Sequence, residues 1–318
     1  MSVADARAAP SGILILSLAS ACGCNCVFCG LPDSRPHSVL SRSALVTALE
    51  GAPSGCWQEV NITGGDPLVI PAARRLFADL LARRDRFARL SVSTAGVPAK
   101  AALAGLAALA EVTALDLYVS LDGVGRVHDR VRQRDGAFAE VSAFLAAARQ
   151  RAGATIALTC VINRLNVDGL DELADHAGEL GLPVSYAIVN NSDHYIRSEP
   201  LFDATRLSPG QLEKVLDFLS RRSKQLLNED LGRVLRGSRR RLPCRLLHDG
   251  VLVTSDGAVS ICGTSQRMLL ATDPPDGGAA WQSALGRRQD LLAAGVDEVC
   301  GTCTTNCYAR RSSDAPAP

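Results

Sequence analysis

Short runs rich in Val, Ile and Leu alternate, over the first two thirds of the chain, with longer stretches whose apolar residues recur every three to four positions. The runs Ile13–Leu18, Glu59–Thr63, Arg89–Thr94, Thr113–Leu121, Thr155–Ile162 and Pro183–Val189 predict strands. Between them the helical spacing predicts helices over about Ser41–Glu50, Pro71–Arg84, Pro98–Ala110, Gly136–Arg151 and Val167–Leu180, and a longer one over Ser208–Leu227. Ser41 and Ser208 are expected to cap their helices, and Pro98 suits a first turn. Six strand–helix repeats call for a parallel sheet with helices outside, and fall short of the eight that close a barrel. The strands are nearly all apolar, which predicts a sheet covered on its faces. Near the C-terminus, Val251–Thr254 and Ala258–Ile261 flank Ser255-Asp256-Gly257, a hairpin signal, and a helix is expected over Trp281–Ala293. The expected class is therefore α/β: a partial (β/α)6 parallel barrel with a small C-terminal Cys-rich α+β domain. The expected division is an arm over 1–11, the barrel over 12–230, a basic linker over 231–243, the small domain over 244–307 and a tail over 308–318.

Charge and composition narrow the function classes. The net charge is +1 over 318 residues, so no bulk attraction to nucleic acid or to a membrane is implied. No apolar run reaches the ~18 residues of a membrane helix. Eleven cysteines form an odd set in a long chain, which points to metal or catalysis in the cytoplasm rather than to disulfides. Leu-Ala-Ser-Ala-Cys22 superficially resembles a lipoprotein signal, but Asp5 offsets Arg7 where such signals need a positive segment.

The chemistry is concentrated in Cys22-Gly-Cys24-Asn-Cys26-Val-Phe-Cys29, which follows the first predicted strand directly. Zinc usually takes two separated Cys/His pairs, and the loop holds no His. Iron–sulfur clusters take cysteine thiolates, usually four, so three on one loop leave one iron open for another ligand. C-x3-C-x2-C over Cys22, Cys26 and Cys29, with Phe28 before the last thiol, resembles the signature of the radical S-adenosylmethionine (SAM) enzymes. The resemblance implies a [4Fe-4S] cluster whose open iron chelates SAM, and an electron that cleaves SAM to a 5′-deoxyadenosyl radical. That radical takes a hydrogen atom from an unactivated carbon. An external one-electron donor such as flavodoxin or ferredoxin is implied with it.

Other positions match the same family in order along the chain. Gly64-Gly65-Asp66-Pro67 resembles the Gly-Gly-Glu-Pro turn that binds the SAM amino group, with Asp66 one methylene shorter than Glu. Two glycines also allow close backbone approach in an ordinary turn. Thr94 and Ser120 end predicted strands; the resemblance gives strand-end hydroxyls to the ribose and Arg132 to the SAM carboxylate, for which an Arg fork is suited. Asn163 is a further candidate at the fifth strand end. His128 is read as structural rather than as a general base.

A second cysteine group lies downstream. Cys244, Cys262, Cys300 and Cys303 make a four-thiolate set that spacing alone assigns to either zinc or iron–sulfur. C-x12-G-x4-C followed by C-x2-C resembles the twitch domain, the shortened SPASM form of radical SAM enzymes, which implies one auxiliary [4Fe-4S] cluster. Cys307 is left over as an alternative ligand or a free thiol. The Arg233–Arg241 segment reads as a solvated linker, with an anchor for an anionic group as the alternative. Loss of an electron from the substrate radical would give oxidation. Return of a hydrogen atom would give epimerisation and needs a thiol, for which Cys307, Cys160, Cys56 and Cys24 are candidates and Cys307 leads. With no separate leader-binding domain before the first strand, a small polar substrate such as a sugar or aminocyclitol is expected; a ribosomally made peptide is the alternative. A metal-binding redox module without catalysis is the reading from another class.

Overall fold

The computed structural model describes residues 11–31, 33, 36–52, 55–151, 153–189, 199–222, 225–242, 244–265, 269–272, 278–293 and 300–305. Cys307, His194 and the tail therefore lie outside the described residues. Six strands form in sequence: β1 (Ser11–Ser17), β2 (Trp57–Thr63), β3 (Phe87–Thr94), β4 (Leu115–Ser120), β5 (Ala154–Ile162) and β6 (Val184–Ile188). All neighbours among them are parallel and lie in sequential order. The helices are α1 (Arg42–Glu50), α2 (Pro71–Arg74), α3 (Phe77–Leu81), α4 (Ala99–Ala107), α5 (Arg126–Arg132), α6 (Ala137–Ala148), α7 (Leu170–Glu179), α8 (Glu199–Thr205), α9 (Pro209–Arg222) and α10 (Leu226–Leu235). Ser41 Oγ accepts from the Ala44 N–H at 3.1 Å and caps α1 as expected. Ser208 and Gln211 form a reciprocal capping box before α9.

A parallel sheet wound in sequential order with right-handed crossovers puts every crossover helix on one face. That consequence overturns the expectation of a sheet covered on both faces. Leu14, Leu16, Val60, Ile62, Leu90, Val92, Leu117, Val119, Leu158 and Ile162 belong to the main core on the helix side. The register places the alternate residues on the other face, and most of those in β2 to β5 are polar: Glu59 and Asn61, Arg89 and Ser91, Asp116, Thr155 and Thr159. Charges on this inner face are paired. Glu59 meets Arg245 at 3.2 Å, and Arg89 meets Asp116 at 2.5 Å.

Two expected helices are broken. The span from Pro71 to Arg84 holds α2 and α3, separated where the Leu76 N–H turns to the Ala73 carbonyl three residues back. The long helix ends at Arg222, and α10 begins at Leu226, where Asn228 meets β6. Asn228 Oδ1 accepts the Tyr186 N–H and its Nδ2 donates to the Val184 carbonyl, both at 3.0 Å, so one side-chain amide pairs with the outer edge of β6 as a strand would.

The C-terminal part continues the same sheet. After α11 (Arg245–His248), β7 (Val251–Val253) pairs in parallel with β1; β8 (Val259–Ser260) and β9 (Leu269–Ala271) follow antiparallel. The expected hairpin forms, with Gly257 at φ +94 in its turn. Ile13, Ile15, Leu246 and Leu252 close the inner face at this end under α11. The expected C-terminal helix is α12 (Gly278–Ala293), docked on α1 by a hydrogen bond from Trp281 Nε1 to the Gly51 carbonyl at 2.9 Å. The basic segment is only partly solvated: Arg236, Arg239 and Arg241 are exposed, whereas Arg233 lies in α10 and the Arg240 side chain, only 6% exposed, sits 3.7 Å from Asp230. Asp230 also accepts the N–H groups of Arg241 and Leu242.

Candidate active site

The cysteine loop has no regular structure and takes its shape from its neighbours. From the turn after β2, the Gly65 N–H donates to the Ala19 carbonyl at 2.6 Å and the Asp66 N–H to the Ala21 carbonyl at 3.2 Å. The fit between these backbones leaves no room for side chains. A Cβ on Gly65 would lie 1.7 Å from the Ala21 oxygen, and one on Gly64 would lie 2.4 Å from the Ala19 oxygen. On the opposite side the loop hangs on the end of α5, with the Asn25 N–H to the Arg132 carbonyl and the Val27 N–H to the Val131 carbonyl. Arg134 donates to the Gly23 carbonyl at 2.9 Å. A turn bond from the Cys29 N–H to the Cys26 carbonyl shapes the end of the loop.

Burial pushes the Cys22 thiol well above its ordinary range, with the charges of Asp66 and Cys26 adding to the effect. Burial pushes Cys24 up to about 12, and Cys26 rises for the same reason against the pull of Arg132. Crowded thiolates without a cation are unfavourable, and a cationic iron–sulfide core reverses that cost because its ligands bind as thiolates. The donor set therefore fits such a cluster: three thiols from one loop, held by backbone contacts. Among the described residues no three His, Cys, Asp or Glu side chains stand close enough to hold a single metal ion.

Asp66 is fully buried and its carboxylate is occupied. It accepts from Thr94 Oγ1 at 2.9 Å, the Ala95 N–H at 2.8 Å and the Leu68 N–H at 3.1 Å. Burial pushes its pKa up to about 6 against those hydrogen bonds. Asp66 and Thr94 thus join the Gly-Gly turn to the end of β3. Asn163 is likewise spent on its own loop, donating to the Val161 carbonyl and accepting the Leu165 N–H. Ser120 is half-buried on the inner face. An open cavity of about 320 Å³ lies against the loop, lined by Cys22, Gly23, Cys24, Asn25, Asp33, His37, Gln133 and Arg134.

A buried ion pair adjoins the loop that residue spacing alone did not reveal. The Arg132 guanidinium donates to Cys26 Sγ at 3.3 Å, lies 2.6 Å from Asp122 Oδ2, and sits 5.9 Å from the centroid of the Phe28 ring. Burial works against the Arg132 charge, and Asp122, Cys26 and Cys24 more than offset it. His128 accepts the Asp122 N–H at Nδ1, and burial drives its pKa down to about 3, so it is neutral and structural as expected.

The second group is partly assembled. Cys244 opens α11, the hairpin returns Cys262, and Cys244 feels the charges of both Cys303 and Cys262. Cys303 donates its N–H to the Cys300 carbonyl at 3.3 Å. Arg240 borders this group and pins the loop with bonds from its N–H to the Gly301 carbonyl and from its guanidinium to the Thr305 carbonyl. Two candidate hydrogen-atom donors are badly placed. Cys160 points into the helix-side core, 1% exposed, and Cys56 precedes β2 at the opposite end of the strand from the cysteine loop.

The Radical SAM superfamily model matches residues 16–177, just over half of the chain. The chain belongs to the radical SAM superfamily. Members of this superfamily bind a [4Fe-4S] cluster and SAM. The chain is 22% identical over 167 residues to the sporulation killing factor maturation protein SkfB of Bacillus subtilis, covering 52% of this chain and 39% of SkfB. Its fold is similar to that of Streptococcus suis SuiB bound to precursor peptide SuiA, with TM-score 0.62 and 15% identity over 94% of this chain and 72% of SuiB. It is also similar to anSMEcpe with bound AdoMet and the Kp18Cys peptide, with TM-score 0.59 and 16% identity over 82% of this chain and 77% of that one. The chain thus spans well under half the length of the curated relative it matches. No helix among the described residues is long and apolar enough to cross a membrane.

Proposed function

We propose that the chain is a radical SAM enzyme that modifies a residue of a ribosomally made peptide. Cys22, Cys26 and Cys29 hold the [4Fe-4S] cluster that binds SAM; Cys244, Cys262, Cys300 and Cys303 hold one auxiliary cluster. When bound and reduced, the first cluster supplies the electron that splits SAM into methionine and a 5′-deoxyadenosyl radical. A flavodoxin or ferredoxin delivers that electron. The chain's own residues fix the geometry: the Gly64-Gly65 turn and the end of α5 set the cysteine loop over the strand ends. Ser120 and the backbone of the Gly64–Pro67 turn would line the SAM site, while Asp66 and Thr94 hold that turn in place.

The observation that carries this reading is the cysteine loop clamped at the C-terminal ends of the parallel strands. Support for a peptide comes from the relatives: SkfB is a maturation protein, SuiB was solved with a precursor peptide, and anSMEcpe with a peptide. The inner face is consistent with it. Near the site it offers the hydroxyls of Ser93 and Thr159, which suit peptide amides, while the charges of Glu59, Arg89 and Asp116 are already paired. A peptide therefore replaces the small polar molecule as the favoured substrate.

The test is iron and sulfide per chain after anaerobic reconstitution, for the wild type and the Cys22→Ala/Cys26→Ala/Cys29→Ala variant. It is joined by incubation with SAM, a reductant and candidate precursor peptides. Roughly eight irons falling to about four, with 5′-deoxyadenosine formed and a peptide altered in mass or in solvent-hydrogen content, is the expected result. Little iron in either protein would overturn the enzyme reading. Modification of a sugar or aminocyclitol and of no peptide would return the substrate to the small-molecule class.

A further inference from the structure

Arg132 stood in the sequence as a partner for the SAM carboxylate, and the structure engages it elsewhere. Its guanidinium is enclosed by Cys26, Asp122 and Phe28, and the residue is only 6% exposed. Its backbone carbonyl also accepts the Asn25 N–H, so the same residue holds the loop and places a cation against one of its thiols. Arginine stays protonated in proteins, so this is a fixed positive charge. Its Nε has no hydrogen-bond partner among the described residues.

We propose that Arg132 is a positioning residue that acts through Cys26 to raise the reduction potential of the SAM-binding cluster. The proposal rests on the assignment of Cys22, Cys26 and Cys29 as cluster ligands. One-electron reduction adds a negative charge to a cluster already ringed by thiolates. A buried cation touching a ligand sulfur stabilises the reduced form more than the oxidised form, because little water screens it. Hydrogen bonds to ligand sulfurs and local charge are general levers on cluster potential. Asp122 holds the fork in place: it meets the guanidinium on one side and accepts the Val161 N–H on the other, which fixes it to β5.

The experiment uses the full chain, anaerobically reconstituted, with an EPR-monitored redox titration and a measurement of SAM affinity. The signal that SAM perturbs identifies the open cluster. Arg132→Gln removes the cation, and its reduction equilibrium should fall tenfold or more, which is 59 mV or more for one electron. Arg132→Lys keeps the charge and should recover most of that shift. If Arg132→Gln fails to fold, the paired Arg132→Gln/Asp122→Asn variant leaves no uncompensated charge; its potential should fall as well, because the lost cation lies nearer the sulfur than the lost anion. SAM affinity should change less than threefold in all of them. An unchanged potential with SAM affinity reduced tenfold or more would overturn the proposal and assign Arg132 to the SAM carboxylate. A potential that falls equally in Arg132→Lys and Arg132→Gln would overturn it in favour of a packing role. A wild type with no SAM-responsive signal would overturn the ligand assignment itself, and the proposal with it.

Discussion

The cleanest test of how the cysteine loop is held is Gly65→Ala. The added methyl would meet the Ala21 oxygen at 1.7 Å, the Ala21 carbonyl carbon at 2.3 Å and the Ser20 oxygen at 2.9 Å. All three are backbone atoms, so none can swing aside. Ordinary contact begins near 3.4 Å, so the two segments must part by well over an ångström. Parting them breaks the bonds from Gly65 to Ala19 and from Asp66 to Ala21. Two such bonds are worth about 1 kcal/mol each, and overpacking adds about 1–3 kcal/mol. The sum is about 3–5 kcal/mol, a fall in Tm on the order of 10 °C at roughly 2–4 °C per kcal/mol.

The assay is thermal unfolding of the metal-free chain, with iron per chain after reconstitution. A variant that relieves the clash by moving the loop keeps some stability and loses the cluster, so one of the two readouts must drop. Gly178→Ala is the control: it lies in α7 with nothing within 4 Å of the added carbon. It should match or exceed the wild type by up to about 1 kcal/mol. Gly65→Ala with unchanged Tm and full iron would refute the account of the clamp, as would an equal loss in Gly178→Ala.

Two other predictions follow from buried polar groups. The Asp66 carboxyl titrates near 6 in the folded chain because it is buried, against 3.8 as its ordinary value. Its raised pKa stabilises the fold most below pH 4, and that stability is lost as pH rises through 6. The difference is worth about 3 kcal/mol at 1.36 kcal/mol per pKa unit. In the metal-free chain, urea midpoints should therefore shift in favour of Asp66→Asn, relative to wild type, between pH 4 and pH 7; a gap independent of pH would refute this. Asn228→Leu strips the Tyr186 N–H and the Val184 carbonyl of their partner, at about 1–3 kcal/mol each, and exposes the edge of β6 to pairing with other chains. Its urea midpoint should fall and light scattering on refolding should rise; a variant that refolds at the wild-type midpoint without added scattering would remove Asn228 from edge protection.

The parallel sheet was legible because each β/α repeat carries its own signal. Short apolar runs, helical apolar spacing and the caps Ser41 and Ser208 are local facts. The polar inner face was also written locally, in Leu115-Asp116-Leu117-Tyr118-Val119-Ser120 and in Glu59-Val60-Asn61-Ile62-Thr63, where polar and apolar residues alternate. The overall apolarity of these strands masks that period of two. The same parity puts Cys160 with Leu158 and Ile162 on the helix side, which sequence alone could have shown. Helix α5 gave no signal: it spans only Arg126–Arg132, has no side-chain cap, and ends at Gln133 in a left-handed conformation. The contact between Arg132 and Cys26 joins residues 106 positions apart, and Arg240 reaches the Thr305 carbonyl across 65 positions. Pairings of that range are not encoded in any window of sequence.

These long-range contacts share a design consequence. A loop without regular structure cannot set thiol positions by itself, because each of its residues would keep its backbone freedom. Here the loop borrows rigidity from three strand ends at once. β1 leads into it, the Gly-Gly turn after β2 fixes Ala19 and Ala21, and Asp66 ties that turn to Thr94 at the end of β3. The fourth support is α5, which follows β4 and fixes Asn25 and Val27. Substitutions at Thr94, which is not a cysteine, should therefore act on cluster assembly through the Asp66 turn. A three-thiol site of this kind tolerates change in its own spacer residues, such as Asn25 and Val27, better than change in the turns that hold it. The bonds that tie those spacers to α5 run through their main-chain N–H groups, and Asn25 adds one exposed side-chain bond from Nδ2 to Gln133 Oε1 at 3.4 Å.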